Sequence, residues 1–213
     1  MRIAAEKWRD KARRLRERVS PLIPRVERDA VFELLSQGQM NQPPRSPDLL
    51  LRVDRVTADN LTDVLQFRNE NVLQAFRQYL ADKDIGVYAY WDGLAVGHVW
   101  AALWHGSKRF VGGYLPVDVS TACMHFSSVS PSYRGHKIYQ NMLVELAKIV
   151  FESTPVRRIL ISCSVDNLAS YSAIERVGFR RLLILPVLRW GGRTIRFARI
   201  PKVETDNTKV FRS

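Results

Sequence analysis

The chain of 213 residues is 46% hydrophobic and 25% charged, a globular composition that excludes a wholly disordered or fibrous protein. Lys and Arg number 33 against 21 Asp and Glu, and the net charge of +12 points toward phosphates, nucleic acid or an anionic membrane face. No apolar run nears the roughly 18 residues of a membrane span, and the charged N-terminus lacks the apolar stretch of a secretory signal. The two cysteines, Cys123 and Cys163, lie in apolar β-like runs and form no C-x-x-C pair. That argues against a disulfide framework and a structural zinc site, and it fits a reducing cytosol. A cytoplasmic protein, or one peripheral to a membrane, is the expectation.

Residues 1–28 hold ten Lys/Arg against four acidic residues, a net of +6. Ile3, Trp8, Ala12, Leu15 and Val19 recur there at helical spacing among Arg9, Lys11, Arg13, Arg14, Arg16 and Arg18. Such a basic amphipathic helix can lie on anionic lipid, meet a partner or pack on its own domain. Pro21 and Pro24 end it. A short helix is expected over 29–36, then a linker over 37–47, where Gly38, Pro43, Pro44 and Pro47 gather. Residues 1–47 thus read as a basic helical extension, with the folded domain over 48–200 and a polar tail over 201–213.

Within the domain, 49–56 reads as a first strand. Segments 57–67 and 71–80 read as helices, with Leu61, Val64, Leu65, Leu73, Phe76 and Leu80 at helical spacing. Strands over 85–91 and 94–103 meet at Asp92-Gly93, a hairpin signal. A glycine-containing loop over 106–115 leads to a strand over 121–129. The helix over 133–151 has Ile138, Met142, Leu146 and Ile149 on one face. An apolar strand over 158–164 suits burial on both sides. A helix over 168–177 begins at Asp166 or Asn167 and stops at Gly178. Strands over 179–188 and 194–200 close the chain around Gly191-Gly192. The fold class is α/β with a mixed sheet, because the hairpin excludes an all-parallel one. The strand–helix–strand of 121–164 makes a right-handed crossover.

The stretch from Val129 through Pro131, Arg134, Gly135, His136, Lys137 and Ile138 to Tyr139 carries the chemistry. A buried strand ends, Pro131 blocks its continuation, and a helix starts shortly after. The N–H groups of residues 134–140 then lie at a helix N-terminus, where free donors and the dipole attract phosphate, and Arg134 and Lys137 add charge. A plain strand-to-helix turn is the alternative on these residues alone.

This stretch resembles the core motif of the GNAT superfamily of acyl-CoA-dependent N-acyltransferases, V-x-P-x-x-R/Q-G-x-G-x-G/A. Val129, Pro131, Arg134, Gly135 and Ile138 match, while Lys137 and Tyr139 replace two small residues. The second family motif, N-x-x-A/S-x-x-x-Y-E-K-x-G-F, is similar to Asn167, Ser170, Ile174, Glu175, Arg176, Gly178 and Phe179, with Ile174 in the place of tyrosine. The resemblance spans roughly 49–200. It implies acetyl-CoA as acyl donor, with its pyrophosphate on Arg134, Gly135, His136, Lys137, Ile138, Tyr139 and Gln140. It places the pantetheine arm along Ser127, Ser128 and Val129, within reach of Asn167. Neighbouring strands 121–129 and 158–164 would splay to admit that arm, and an N–H near Val129 would polarise the thioester carbonyl.

The resemblance also implies attack by a neutral amine, with His125 as base four residues before Val129. An imidazole titrating near 6.5 suits that role, although a core histidine is the alternative. Tyr171 or Ser170 would serve proton transfer in place of the missing tyrosine. His98, His105 and His136 show no paired spacing, so no metal is expected. The acceptor side would come from 57–84, 104–120 and 185–195, with Trp104, His105, Tyr114, Asp118, Trp190 and Arg193 as candidates. The expected function is N-acetylation of a small amine, an amino sugar or nucleotide-linked sugar among them. A macromolecular acceptor, such as a protein N-terminus or aminoacyl-tRNA, and a non-catalytic acyl-CoA-binding or membrane-docking module stay open. So do a homodimer and a lipid or nucleic-acid contact through the basic N-terminus.

Overall fold

A computed structural model describes residues 24–41, 51–107, 109–190 and 193–196. The basic helix expected over 3–19, most of the 37–47 linker, Gly191-Gly192 and the 201–213 tail lie outside them, so the lipid, nucleic-acid and partner contacts expected of the N-terminus do too.

The described strands are β1 (Arg25–Leu34), β2 (Leu51–Arg55), β3 (Ile85–Trp91), β4 (Leu94–Ala102), β5 (Arg109–Val111), β6 (Leu115–Val117), β7 (Thr121–Val129), β8 (Arg158–Ser164), β9 (Arg180–Trp190) and β10 (Arg193–Arg196). The α-helices are α1 (Glu70–Ala81), α2 (Ile138–Ser153) and α3 (Leu168–Arg176). Eight strands form one mixed sheet in the order β10-β9-β1-β8-β7-β4-β3-β2, and β5 and β6 make a separate hairpin.

The sheet corrects the reading of the N-terminal segment. The short helix expected over 29–36 is strand β1, inserted between β8 and β9 and antiparallel to both. Ala30, Val31, Phe32 and Leu34 are fully buried. A strand covered on both faces shows no period-2 alternation, and a short apolar run of this kind is equally compatible with a helix. Partners more than a hundred residues away decide the matter. Buried Glu33, on the same strand, is met by Arg158 at 3.1 Å and by Arg180 at 2.7 Å. Residues 25–34, expected in the extension, therefore belong to the sheet itself.

Two smaller differences have local causes. The expected 57–67 helix is a 3-10 turn over Leu61–Gln66. Asn60 accepts from Thr57 N–H at 2.8 Å and donates to the Arg55 carbonyl at 3.0 Å, holding the backbone away from a helix start. The expected 106–115 loop contains the β5–β6 hairpin, tied to the sheet by Arg109, which makes two bonds to Asp84 at 2.7 and 2.8 Å. The Asp92-Gly93 turn forms as expected, with left-handed φ of 50° and 79° at its two central residues.

One face of the sheet is covered by α2 and α3, where Ile138, Met142, Leu146 and Ile174 pack on Phe32, Val99, Ile159 and Ile161. The other face is covered in two parts. Phe76 and Leu73 of α1 pack on Tyr88 and Trp100, and Tyr114, Leu115 and Val117 of the hairpin pack on Val31, Leu160 and Leu185.

The site is created where the sheet opens. β7 and β8 run parallel but pair only from Thr121↔Arg158 to Cys123↔Leu160. β7 continues to Val129 beside β4, and β8 continues to Ser164 beside β1, so their remaining ends are held apart by other partners. The β4–β7 register shifts between the Trp100↔His125 and His98↔Ser128 pairs, and Phe126 there takes a φ of +48°. This bulge increases the local twist and turns β7 away from β8.

Candidate active site

The turn after β7 builds one end of the site. Pro131–Tyr133 forms a short 3-10 turn, Gly135 follows with φ +88°, and Lys137 takes φ +58° as the N-cap of α2. Asn141 N–H bonds back to the Lys137 carbonyl at 3.1 Å. The N–H groups of Ile138, Tyr139 and Gln140 precede that first intrahelical bond and have no helical acceptor. A Cβ added at Gly135 would meet nothing within 4 Å, so the turn is open to approach from outside.

A cleft of about 820 Å³ lies over this turn. One wall is Ser127, Ser128 and Val129 at the end of β7, the floor is Arg134, Gly135 and Lys137 to Gln140, and the far wall is the start of α3 from Asn167 to Ser170. Arg176 on α3 brings a third cation to the lining beside Arg134 and Lys137. In the sequence Arg176 stands at the lysine position of the second motif, which by itself implies no role for it. Asn167 caps α3 by accepting from Ser170 N–H at 3.2 Å.

Tyr139 stands between the parted strands. Its hydroxyl hydrogen-bonds with Ser127 of β7, it lies near Cys163 of β8, and burial pushes its pKa up to about 12. His136 is placed differently from its neighbours in the turn. Its Nδ1 lies 3.1 Å from the Arg134 carbonyl, its ring packs against Trp91, and it does not line the cleft. Tyr171 also lies outside the lining. Its ring packs edge-on against Phe32, and its hydroxyl accepts from Arg181 at 2.7 Å. Ile174 is fully buried in the core.

His125 lies on the opposite face of β7, edge-on to Tyr79, and its Nε2 is buried without a partner. Burial lowers its pKa to about 4, with Asp84 opposing and Arg109 adding to the effect, so the imidazole is neutral at neutral pH. His98, which the sequence reading left without a role, is on the same face of β4. It is 1% exposed and lies against Phe76 and Phe126. Burial, then the charge of Arg68, lowers its pKa to about 4. Its presence inside an apolar strand is visible in the sequence, but its facing is not, because β4 is buried on both faces and shows no polar–apolar alternation.

The residues expected on the acceptor side do not form one group. Tyr114 is buried and bonds Asp29 and Ser162. His105 lies 3.7 Å from Asp84, Asp118 accepts from Ser120 within its own turn, and Trp104 and Trp190 are exposed. Among the described residues, no group of three or more His, Cys, Asp or Glu is placed to hold a metal, and no helix is long and apolar enough to cross a membrane.

Residues 64–184 match the family model of the GNAT acetyltransferase domain, more than half of the chain, and the chain belongs to that family. No curated protein matches it in sequence. Among solved structures it is similar to a GNAT-family acetyltransferase from Colwellia psychrerythraea, at 16% identity and a TM-score of 0.53 over 84% of this chain and 58% of that one. A GCN5-related N-acetyltransferase from Kribbella flavida is similar at 12% identity and a TM-score of 0.52, over 78% and 59%. The aminoglycoside acetyltransferase AAC(6')-Iy, in complex with a bisubstrate analog, is similar at 16% identity and a TM-score of 0.50, over 62% and 91%. At these identities the likeness is one of fold. The chain spans 58% and 59% of the lengths of the first two of these structures.

Proposed function

We propose that the chain transfers an acetyl group from acetyl-CoA to a primary amine of a small acceptor. The observation that carries this reading is a coincidence of position: the free N–H groups of α2 begin where β7 and β8 part. A diphosphate on the N–H groups of Ile138, Tyr139 and Gln140 gains the helix dipole and the charges of Lys137, Arg134 and Arg176. The attached pantetheine arm then has an unpaired strand edge to follow, the side of β7 that β8 has left. Ser130 N–H donates to the Val96 carbonyl of β4 at 2.8 Å. Successive N–H groups of a strand alternate between its edges, so that of Val129 is directed at the vacated side, where it can polarise the thioester carbonyl. Asn167 faces the arm from α3.

Acetyl-CoA is the acyl donor, and its thioester supplies the electrophile. The neutral amine forms the new C–N bond as the C–S bond breaks, and the electron pair leaves on sulfur. The amine proton must pass to a base, and His125, already neutral, is assigned that role. A thiol titrates near 8.5, so the thiolate leaves without a strong acid. Ser170 lines the cleft wall, and it is assigned a water for the protonation of the thiolate. Tyr171 is engaged by Arg181 and is given no step. The test is thiol release from acetyl-CoA in the presence of primary amines, amino sugars first. Amine-dependent release that His125→Ala reduces supports the reading. Absence of acetyl-CoA binding in titration refutes it.

A further inference from the structure

The gap between β7 and β8 is occupied by a side chain. The two strands pair no further than Cys123↔Leu160, and beyond that point each is held by its other neighbour, β4 or β1. Among the described residues, the facing edges of β7 and β8 have no partner strand past this pair, so their backbone donors and acceptors are open there. Tyr139, in the first turn of α2, bridges the opening. Its hydroxyl is hydrogen-bonded to Ser127 on β7, and it lies near Cys163 on β8. It also packs, with Val129 and Cys163, against the core cluster under α2.

Tyr139 is half-buried and lines the open cleft as well, so its ring has the parted strands on one side and the cleft on the other. Across the cleft α3 presents Ala169, Ser170, Ser172 and Ala173, all small, which leaves room for a displaced ring. Rotation about the Cα–Cβ bond carries the ring from the gap into the cleft without moving the backbone of α2. Tyr139 is the second residue of the helix, so no preceding helical turn restricts that rotation. On leaving, the ring gives up one hydrogen bond and part of its burial. It uncovers the Ser127 hydroxyl and the free edge of β7, which an extended chain bearing amide groups can satisfy in its place.

We propose that Tyr139 is a displaceable wedge, which holds the slot between β7 and β8 until the coenzyme arm takes it and turns the ring into the cleft. The inference rests on the acetyltransferase reading for the path of the arm, and it names the residue that sets how strongly the site favours a ligand with an arm. A ligand that ends at its diphosphate occupies the turn alone and leaves the ring bonded to Ser127. Coenzyme A has to displace the ring, and its affinity is lowered by that displacement.

The experiment titrates the full chain, Tyr139→Phe and Tyr139→Ala calorimetrically with CoA and with ADP, which carries the diphosphate without the arm. The quantity compared is the ratio of the two affinities within each protein, so that any change in the turn common to both ligands cancels. The expected ratio of CoA to ADP affinity is about tenfold or more higher in Tyr139→Ala than in the wild type, with Tyr139→Phe, which loses only the hydroxyl, in between. An unchanged or lower ratio in Tyr139→Ala overturns the proposal. Fluorine NMR of the full chain labelled with 3-fluorotyrosine is a second test that does not depend on the folding of the alanine variant, with the Tyr139 signal identified by its absence from Tyr139→Phe. CoA is expected to move that signal to the position of a solvent-exposed tyrosine, and ADP is not; the same response to both ligands overturns the proposal. Failure of all three proteins to bind CoA overturns the acetyltransferase reading, and this proposal with it. CoA binding by Tyr139→Ala and not by the wild type refutes the acetyltransferase reading and supports the wedge.

Discussion

Lys137 occupies a left-handed backbone position, φ +58°, at the N-cap of α2 and the floor of the cleft. The family motif has glycine there, and the conformation gives the reason: a side chain in this region costs about 1–2 kcal/mol. Replacing Lys137 with glycine removes that strain. It also adds roughly 0.5–1 kcal/mol of backbone entropy to be lost on folding, so the net change in stability is within about 1 kcal/mol. Binding responds differently. An ammonium beside a diphosphate at a half-open cleft contributes about 1–2 kcal/mol, which corresponds to a roughly 5- to 30-fold weaker Kd when it is lost. Lys137→Ala should lose the same affinity while keeping the strain, so the two variants separate charge from backbone. The assays are urea denaturation for stability and calorimetric titration with acetyl-CoA at two salt concentrations. Equal or tighter binding by Lys137→Gly would refute the assignment of the turn as the phosphate site.

Other consequences can be checked on the same footing. The folded-state pKa of His98, about 4, is below the value near 6.5 in the unfolded chain, so stability is full above about pH 6.5 and is lost as pH falls through 4. Denaturation midpoints across that window should decline, and His98→Leu should remove a share of the slope, up to ~3 kcal/mol. His125→Ala should lower kcat by about 10²-fold and leave acetyl-CoA affinity intact, and the wild-type kcat/KM should show no break near pH 6.5, because His125 is already neutral there. Gly178 has φ +103°, and a Cβ there would collide with the Gln39 carbonyl. Gly178→Ala should therefore cost roughly 3 kcal/mol and lower Tm by about 6–12 °C. Asn167→Ala should lose the α3 cap at about 1 kcal/mol, whereas Asn167→Asp keeps the cap and isolates any loss of pantetheine binding.

The parts of the fold legible in the sequence are those whose signal is local. β7 and β8 were expected at the boundaries they have, because each is an apolar run closed by turn residues. The hairpin at Asp92-Gly93 was expected from two residues that tolerate left-handed backbone. β1 was misread because a strand buried on both faces carries no periodicity, and its identity depends on pairing with β8 and β9 far along the chain. The candidate site divides in the same way. The turn from Arg134 to Gln140 was legible as a motif, since a strand end, a proline and a helix start place backbone donors without help from distant residues. Arg176 reaches the cleft through the packing of α3, and His98 lies on a strand buried along both faces, so neither placement follows from spacing.

The most direct test of the account is a calorimetric titration of the full chain with acetyl-CoA beside Lys137→Glu. The account predicts saturable one-to-one binding by the wild type and a loss of affinity of at least about tenfold when the charge at the N-terminus of α2 is reversed. The absence of binding by the wild type, or equal binding by the two proteins, would contradict a cofactor site built on that turn.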